Sequence, residues 1–358
     1  MPPSNKIVDY IIVGQGIAGT LLHYALSKRG KKVVIFDQNH EGAATKVAAG
    51  GINPITGKRY VKSWKIEALM PEVRKVYAEL EDLLDIQIFS DRNIYRILKN
   101  AGEENTWLGR SGDPLYIDYF VEKPSVGTFE KHLNQFPSVG EIKHGGQVNI
   151  SFLIEKYSDY LKSKAQLFIE KFEFEHLNFQ SKVVYKNIEA EGIIFCEGAA
   201  AIQNPFFNYL PFELSKGEAL TIKIPHSKLE KIIRHKVSIV PTKSEEYWVG
   251  ASNDWDFSDD KPTEHGKNEL KAHLKTILKS EYEVVNHQAA IRPTTKDRRP
   301  LLGCHPKFHN MFIFNGLGTK GASLAPKLAE IMCDFLINKK SLWEEIDLKR
   351  YENLYLQP

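Results

Sequence analysis

Two glycine clusters at opposite ends of the chain carry the first chemical signal. Gly14-Gln15-Gly16-Ile17-Ala18-Gly19 is a Gly-x-Gly-x-x-Gly, and Gly316-Leu317-Gly318-Thr319-Lys320-Gly321 is a second glycine-rich turn. Each follows a short apolar run, Tyr10 to Val13 and Met311 to Phe314, and each precedes apolar residues at helical spacing. Strand, glycine turn and helix in that order aim free backbone N–H groups and the positive end of a helix dipole at one point, where phosphates bind. In the first cluster Gly14 permits the tight turn, Gly16 lets the backbone approach a pyrophosphate, and Gly19 lets the helix pack on the strand. Asp37 closes a second strand, Lys32 to Phe36, 18 residues beyond Gly19. A carboxylate there accepts hydrogen bonds from a ribose diol and repels a 2′-phosphate, which argues against NADP.

A nicotinamide dinucleotide generally needs one such turn. FAD is longer, and a second helix start near the flavin N1/O2 edge would stabilise negative charge on the ring system. The turn Gly316 to Gly321 suits that task. Between residues 43 and 57 the chain is rich in Ala and Gly, with Thr45, Lys46, Ala49, Gly50 and Gly51 among them. Small residues suit a backbone pressed against something flat, and an ordinary flexible loop is the alternative.

These groups need a scaffold. The chain has 358 residues, which predicts about two domains. Hydrophobic residues at 42% and charged residues at 26% exclude intrinsic disorder and coiled coil for most of its length. The balance of 48 Lys+Arg against 45 Asp+Glu is too even to argue for nucleic-acid binding by itself. Cys196, Cys304 and Cys333 form no C-x-x-C pair, so neither a disulfide framework nor a cysteine-based zinc site is expected, and the usage fits a cytoplasmic protein. The histidines show no metal spacing. No apolar stretch approaches the roughly 18 residues that cross a bilayer, so no membrane association is expected.

Strands are expected at Phe89 to Leu98, Leu167 to Phe174, Val183 to Tyr185 and Gly192 to Cys196, and helices over Glu67 to Leu84, Val148 to Leu161 and Glu269 to Leu278. Leu220 to Ile224, Val237 to Val240 and Tyr247 to Ala251 alternate like antiparallel strands. The expected architecture is α/β: a discontinuous Rossmann-like FAD-binding domain (1–87, 146–204 and 290–358) interleaved with an antiparallel-sheet substrate domain (88–145 and 205–289). Alternation sends Tyr247 and Trp248 to opposite faces of their strand, so either could wall a pocket or pack in the core.

The whole pattern resembles the FAD-dependent D-amino acid oxidase family, which includes glycine oxidase and sarcosine oxidase. The resemblance runs nearly end to end. It rests on the first forty residues, Thr45 to Pro54, Gly145-Gly146 before a helix, Cys196-Glu197-Gly198, Lys216-Gly217-Glu218, Ile291-Arg292-Pro293-Thr294-Thr295-Lys296-Asp297 with Pro300 and Gly303, and the last glycine turn with Ala325-Pro326. It implies oxidation of a C–N bond in a small amino acid or secondary amine, by hydride transfer to flavin N5, with oxygen or another acceptor taking the electrons. Arg292 is then the expected clamp for a substrate carboxylate, because a guanidinium binds one bidentately. Lys320 is expected to face the flavin or the substrate anion.

The same resemblance marks Ile17, Ala18, Gln38, Phe172, Glu197, Gly198 and Leu317 as FAD contacts, beside the glycines and Asp37, and Tyr247 and Trp248 as candidate substrate contacts. Two departures stand out: Asp37 is one methylene shorter than the common Glu, and Glu197 brings a carboxylate near the ring. The segment around Arg292 lacks the cysteine that carries covalent flavin in some relatives, so non-covalent FAD is expected. The last turn is also similar to the C-terminal oxidoreductase module of a bifunctional tRNA-modifying enzyme, which removes a carboxymethyl group from a secondary amine on a wobble uridine. That substrate, a hydroxy acid, or a flavin-binding role without catalysis are the rival readings.

Overall fold

The computed structural model describes residues 6–180 and 182–355. Its first layer grows from the strand Lys6–Val13. That strand pairs in parallel with Val33–Asp37 on one side and with Ile188–Phe195 on the other. Leu167–Ile169 and Met311–Asn315 extend the parallel set outward, and three antiparallel strands complete an eight-stranded sheet. Parallel strands are buried on both faces, which is why they read as unbroken apolar runs. Tyr10 and Ile12 point into one core, shared with the helices Ile17–Lys28, Ile66–Leu84, Ile150–Ser163 and Gly321–Asn338. Ile11 and Val13 point into the other, beside Phe36, Phe172, Tyr185 and Phe195. The fully buried Tyr77 donates its hydroxyl to the Ala322 carbonyl oxygen (2.8 Å), tying the helix Ile66–Leu84 to the helix Gly321–Asn338.

The second layer is a seven-stranded sheet in the order Glu283–Arg292, Ser215–Lys223, Glu246–Gly250, Ser238–Lys243, Ile232–Arg234, Ile94–Ile97, Val139–Ile142. Its pairing is antiparallel except between Ile232–Arg234 and Ile94–Ile97, which run parallel. One face packs Leu220, Ile222, Ile239, Tyr247 and Val249 against Leu270 and Leu274 of the helix Glu264–Lys275. The other face looks towards the first layer.

Two expected strands are shorter than their patterns. Phe89 to Leu98 splits into Phe89–Asp91, in a small three-stranded sheet, and Ile94–Ile97, in the large one. Asn93 stands at the crossover and donates its side-chain amide to the buried Glu141 carboxylate (2.7 Å). Leu167 to Phe174 pairs only as far as Ile169, because Phe172 and Phe174 turn onto Tyr185 and Phe195.

The strand-to-helix turn has little slack. Gly14 has φ +101°, in the region that favours glycine, and a Cβ on Gly19 would overlap the Gly14 carbonyl oxygen. Gly19→Ala is therefore expected to destabilise the fold by about 1–3 kcal/mol through overpacking against backbone that cannot yield. Chemical denaturation reads this directly, and a stability equal to wild type would refute the account.

Candidate active site

Parallel pairing brings five strand ends to one edge. Phe168, Phe36, Val13, Phe195 and Ile313 lie in one row across the sheet. Gly14, Asp37, Phe172, Glu197 and the turn Gly316–Gly321 therefore follow within a few residues of a common line. Ligands of open α/β sheets bind beyond such carboxyl ends. Here those ends open on a cavity of about 1450 Å³ that runs to the inner face of the second sheet.

Most of the residues singled out in the sequence line this cavity. Gly14, Gly16, Ile17, Ala18, Asp37 and Gln38 form its wall at the first turn, and Thr45, Lys46, Ala49, Gly50 and Gly51 form a second side. Phe172, Glu197 and Gly198 border it, as do Leu317, Gly318, Thr319, Lys320 and Gly321. Arg292 and Trp248 enter from the second sheet. Three do not reach the cavity. Gly19 is pressed on the Gly14 carbonyl, and Gly316 holds its turn against Thr295 and Leu301. Tyr247 is excluded from the substrate wall by strand alternation: it is fully buried on the far face, where it meets Phe129 and hydrogen-bonds with Ser227 Oγ (2.7 Å). Trp248 is the member that faces inward, and its indole N–H donates to the Val47 carbonyl (2.9 Å).

The FAD dependent oxidoreductase family pattern matches residues 9–335. The chain belongs to this family. It is 24% identical to glycine oxidase of Bacillus subtilis over 93% of this chain and 94% of the relative. Among solved structures it resembles glycine oxidase of Geobacillus kaustophilus, with TM-score 0.78 and 21% identity over 94% of this chain and 96% of that one. Iminodiacetate oxidase of Chelativorans sp. BNC1 matches with TM-score 0.78 and 20% identity, over 96% and 98% of the two chains. The expected two-layer α/β fold, the membership of a family of FAD-dependent enzymes and FAD as its cofactor thus stand. Among the described residues no helix is long and apolar enough to cross a membrane.

The first turn of this FAD dependent oxidoreductase fits a dinucleotide. A Cβ on Gly16 would meet, within the protein, only Thr45 Oγ1 at 3.2 Å, so the glycine leaves room on the cavity side. The helix Ile17–Lys28 begins there without a side-chain cap. Thr45 Oγ1 accepts the Ile17 N–H (3.2 Å), and the Asp37 carboxylate accepts the N–H groups of Gln15 (2.7 Å) and Asn39 (2.6 Å). Asp37 thus braces the turn as well as lining the cavity. Lys46 bends away from the cavity centre to Asn39 and Glu41.

Two cations stand at the other end without a carboxylate partner among the described residues. Arg292 donates to the Ser252 carbonyl (2.9 Å) and to Asn253 Oδ1 (2.9 Å), and its guanidinium packs against Gly217, where any Cβ would collide with it. Asp297, its nearest acid in sequence, pairs instead with Arg350 (3.0 Å). Lys320 begins the helix Gly321–Asn338 and reaches Ser63 Oγ (3.3 Å). Burial lowers the pKa of Arg292, and burial and the nearby Arg299 charge lower that of Lys320. The Gly318 N–H donates to the Pro293 carbonyl (3.2 Å), so the last glycine turn and the Arg292 strand are joined directly. Sequence patterns missed Arg96 and Arg234, which also line the cavity. Alternation within Phe89 to Leu98 gave a weak hint of the first; nothing local marked the second.

Glu197 is an acid that borders the cavity, beside the last glycine turn, where Asn315 Nδ2 donates to the Gly198 carbonyl (2.9 Å). Burial pushes its carboxyl up to about 7, and the hydrogen bond from Asn204 Nδ2 (2.7 Å) offsets this only partly. The folded protein then keeps a proton that the unfolded chain releases above about 4.5, so this group's contribution to stability falls as pH rises from about 4.5 to 7. Glu197→Gln should flatten that slope and raise the melting temperature at pH 8, as read by thermal unfolding across pH. A second test concerns the first turn: Gly16→Val should keep the fold, read by circular dichroism, and lose the flavin absorption band. Yellow protein from Gly16→Val would refute the approach argument.

Proposed function

We propose that this enzyme oxidises the C–N bond of a small primary or secondary amine that carries a carboxylate beside the nitrogen. The observation that carries this reading is Arg292, a cavity-facing guanidinium with no carboxylate of its own among the described residues. A charge desolvated without an acid is costly unless a ligand supplies one. The printed names of the relatives, glycine oxidase and iminodiacetate oxidase, support the same class, since both name carboxylated amines.

Bound FAD supplies the two-electron acceptor for such an oxidation. We assign its pyrophosphate to Gly14–Gly19 with the start of the helix Ile17–Lys28, its ribose to Asp37 and Gln38, and its ring to the region of residues 45–51, Glu197, Gly198 and 317–321. A non-covalent cofactor is favoured, because Cys304 and Cys333 lie off the cavity lining and burial holds the Cys196 thiol well above its ordinary pKa. Arg292 holds the substrate carboxylate and so fixes the α-carbon. Lys320 and the uncapped helix start behind it present positive charge to the ring end. Trp248 and the helical shell keep water from the reacting carbon. No strong base acts on carbon: the substrate ammonium loses its proton to solvent on binding, and the lone pair of the neutral amine then assists loss of hydride from the α-carbon.

Anaerobic titration with glycine, sarcosine and other N-methyl and D-amino acids tests the reading: one of them should bleach the flavin band. Arg292→Met should raise KM for that compound by about 100-fold, the loss of a charge-assisted pair worth roughly 2–3 kcal/mol, while the protein stays yellow. Unchanged kinetics in Arg292→Met would remove Arg292 from the site. A flavin band bleached by no amine would turn the assignment towards a hydroxy acid or a modified tRNA base.

A further inference from the structure

A second cationic group lines the same cavity, on the same sheet face as Arg292. Ile232–Arg234 and Ile94–Ile97 pair in parallel, and the register sets Arg234 directly beside Arg96. Like charges at such positions repel and destabilise a sheet. The pair is only partly neutralised. Glu103 is the sole acid paired with Arg96 among the described residues (3.6 Å), and it is shared with Lys99 (3.8 Å). Arg234 has no acid among them; it donates to Ser238 Oγ (2.6 Å). The Arg96 Nε is buried without a partner. Burial lowers the pKa of Arg234, and Arg96 adds to this.

Register also relates this pair to Arg292. Arg234 pairs with Ser238, Ser238 with Gly250, and Gly250 with Ala219, two residues along from the Gly217 that lies beneath the Arg292 guanidinium. The Arg234 guanidinium leans to Ser238, so two strand spacings across the sheet and two residues along it, about 12 Å in all, separate the two cationic heads. The floor between them is made of Ala219, Gly250 and Ser238, all lining the cavity, and the Trp248 ring packs over Gly250, where a Cβ would meet it at 2.7 Å. Two positive heads without a matching acid, with one aromatic ring on the floor between them, suit an extended ligand with an anion at each end and an alkyl chain between.

We infer that the substrate is a dianionic amine: Arg292 takes the carboxylate beside the nitrogen, and Arg234 with Arg96 takes a second anionic group several bonds away. This rests on the proposed amine oxidation and narrows it. Free glycine would then be a poor fit, because it leaves the second pair unmatched.

Non-reacting probes test this by calorimetry on the FAD-loaded protein. Adipate and hexanoate match in length and differ in one carboxylate; 6-phosphonohexanoate distinguishes a phosphonate-type second anion from a carboxylate. Adipate or the phosphonate should bind at least about tenfold tighter than hexanoate. Arg234→Gln, and independently Arg96→Gln, should bring that ratio near one. Ligand-free Arg234→Gln should melt no lower than wild type, since it relieves repulsion, whereas a merely structural arginine would lower the melting temperature. Equal binding of adipate and hexanoate, or a ratio unmoved in both variants, overturns the second subsite. If amino acids still bleach the flavin in that case, amine oxidation stands alone; if none does, both readings fall.

Discussion

The row Phe168, Phe36, Val13, Phe195, Ile313 is the constraint on which the site depends. Its strands are parallel, so their carboxyl ends face one way, and their lengths bring those ends level. A slip of one residue in any strand would exchange its two faces and send buried side chains to the wrong core. Because both faces are packed, one by helices and the other by aromatic rings, slippage is strongly opposed. Placement of Gly14, Asp37, Glu197 and Leu317 around one cavity follows from that row rather than from contacts among those residues.

The first layer was legible because its signals are local. Strand, glycine turn, helix and terminal acid occupy residues 9–37, and each is recognisable within a window of a few residues. Gly19 shows why the spacing matters: the glycine is demanded by the Gly14 carbonyl five residues earlier, so chemistry and spacing are one constraint. The second layer was legible in kind but not in detail. Alternation separated Tyr247 from Trp248 without saying which faced the cavity, because that depends on the side from which the helix Glu264–Lys275 covers the sheet. Arg96 and Arg234 meet through a parallel pairing between segments more than 130 residues apart. No local pattern encodes that register, and Ile232–Arg234 is too short to announce itself as a strand.

The electrostatics of the cavity follow the same division. At the dinucleotide end, positive character comes from backbone: the N–H groups and dipole of an uncapped helix, with Asp37 bracing the turn. Such dipoles are fixed by the fold and cost little to expose. At the far end it comes from side chains, with Arg292, Lys320 and Arg234 each denied an acidic partner among the described residues and each lowered in pKa by burial. Desolvated charges of this kind reduce stability until a ligand arrives, and they are the groups whose strength grows as water leaves.

This asymmetry explains how cofactor and substrate selection can be separated in one fold. In the proposed assignment the cofactor is recognised by backbone geometry that the apolar row enforces, so side chains around it have limited freedom: a Cβ on Gly16 intrudes on the cavity, and one on Gly19 intrudes on the turn. The wall assigned to the substrate is a sheet face whose inward positions, Gly217, Ala219, Trp248, Gly250, Ser238, Arg234 and Arg96, lie on five strands held by the backbone ladder. Any of them can change without moving the ends of the parallel strands. The Gly318–Pro293 hydrogen bond is where the two systems touch, and it sets the Arg292 strand relative to the last glycine turn. On the proposed assignment, charge placement on the sheet selects what is oxidised, while the parallel layer fixes where oxidation occurs.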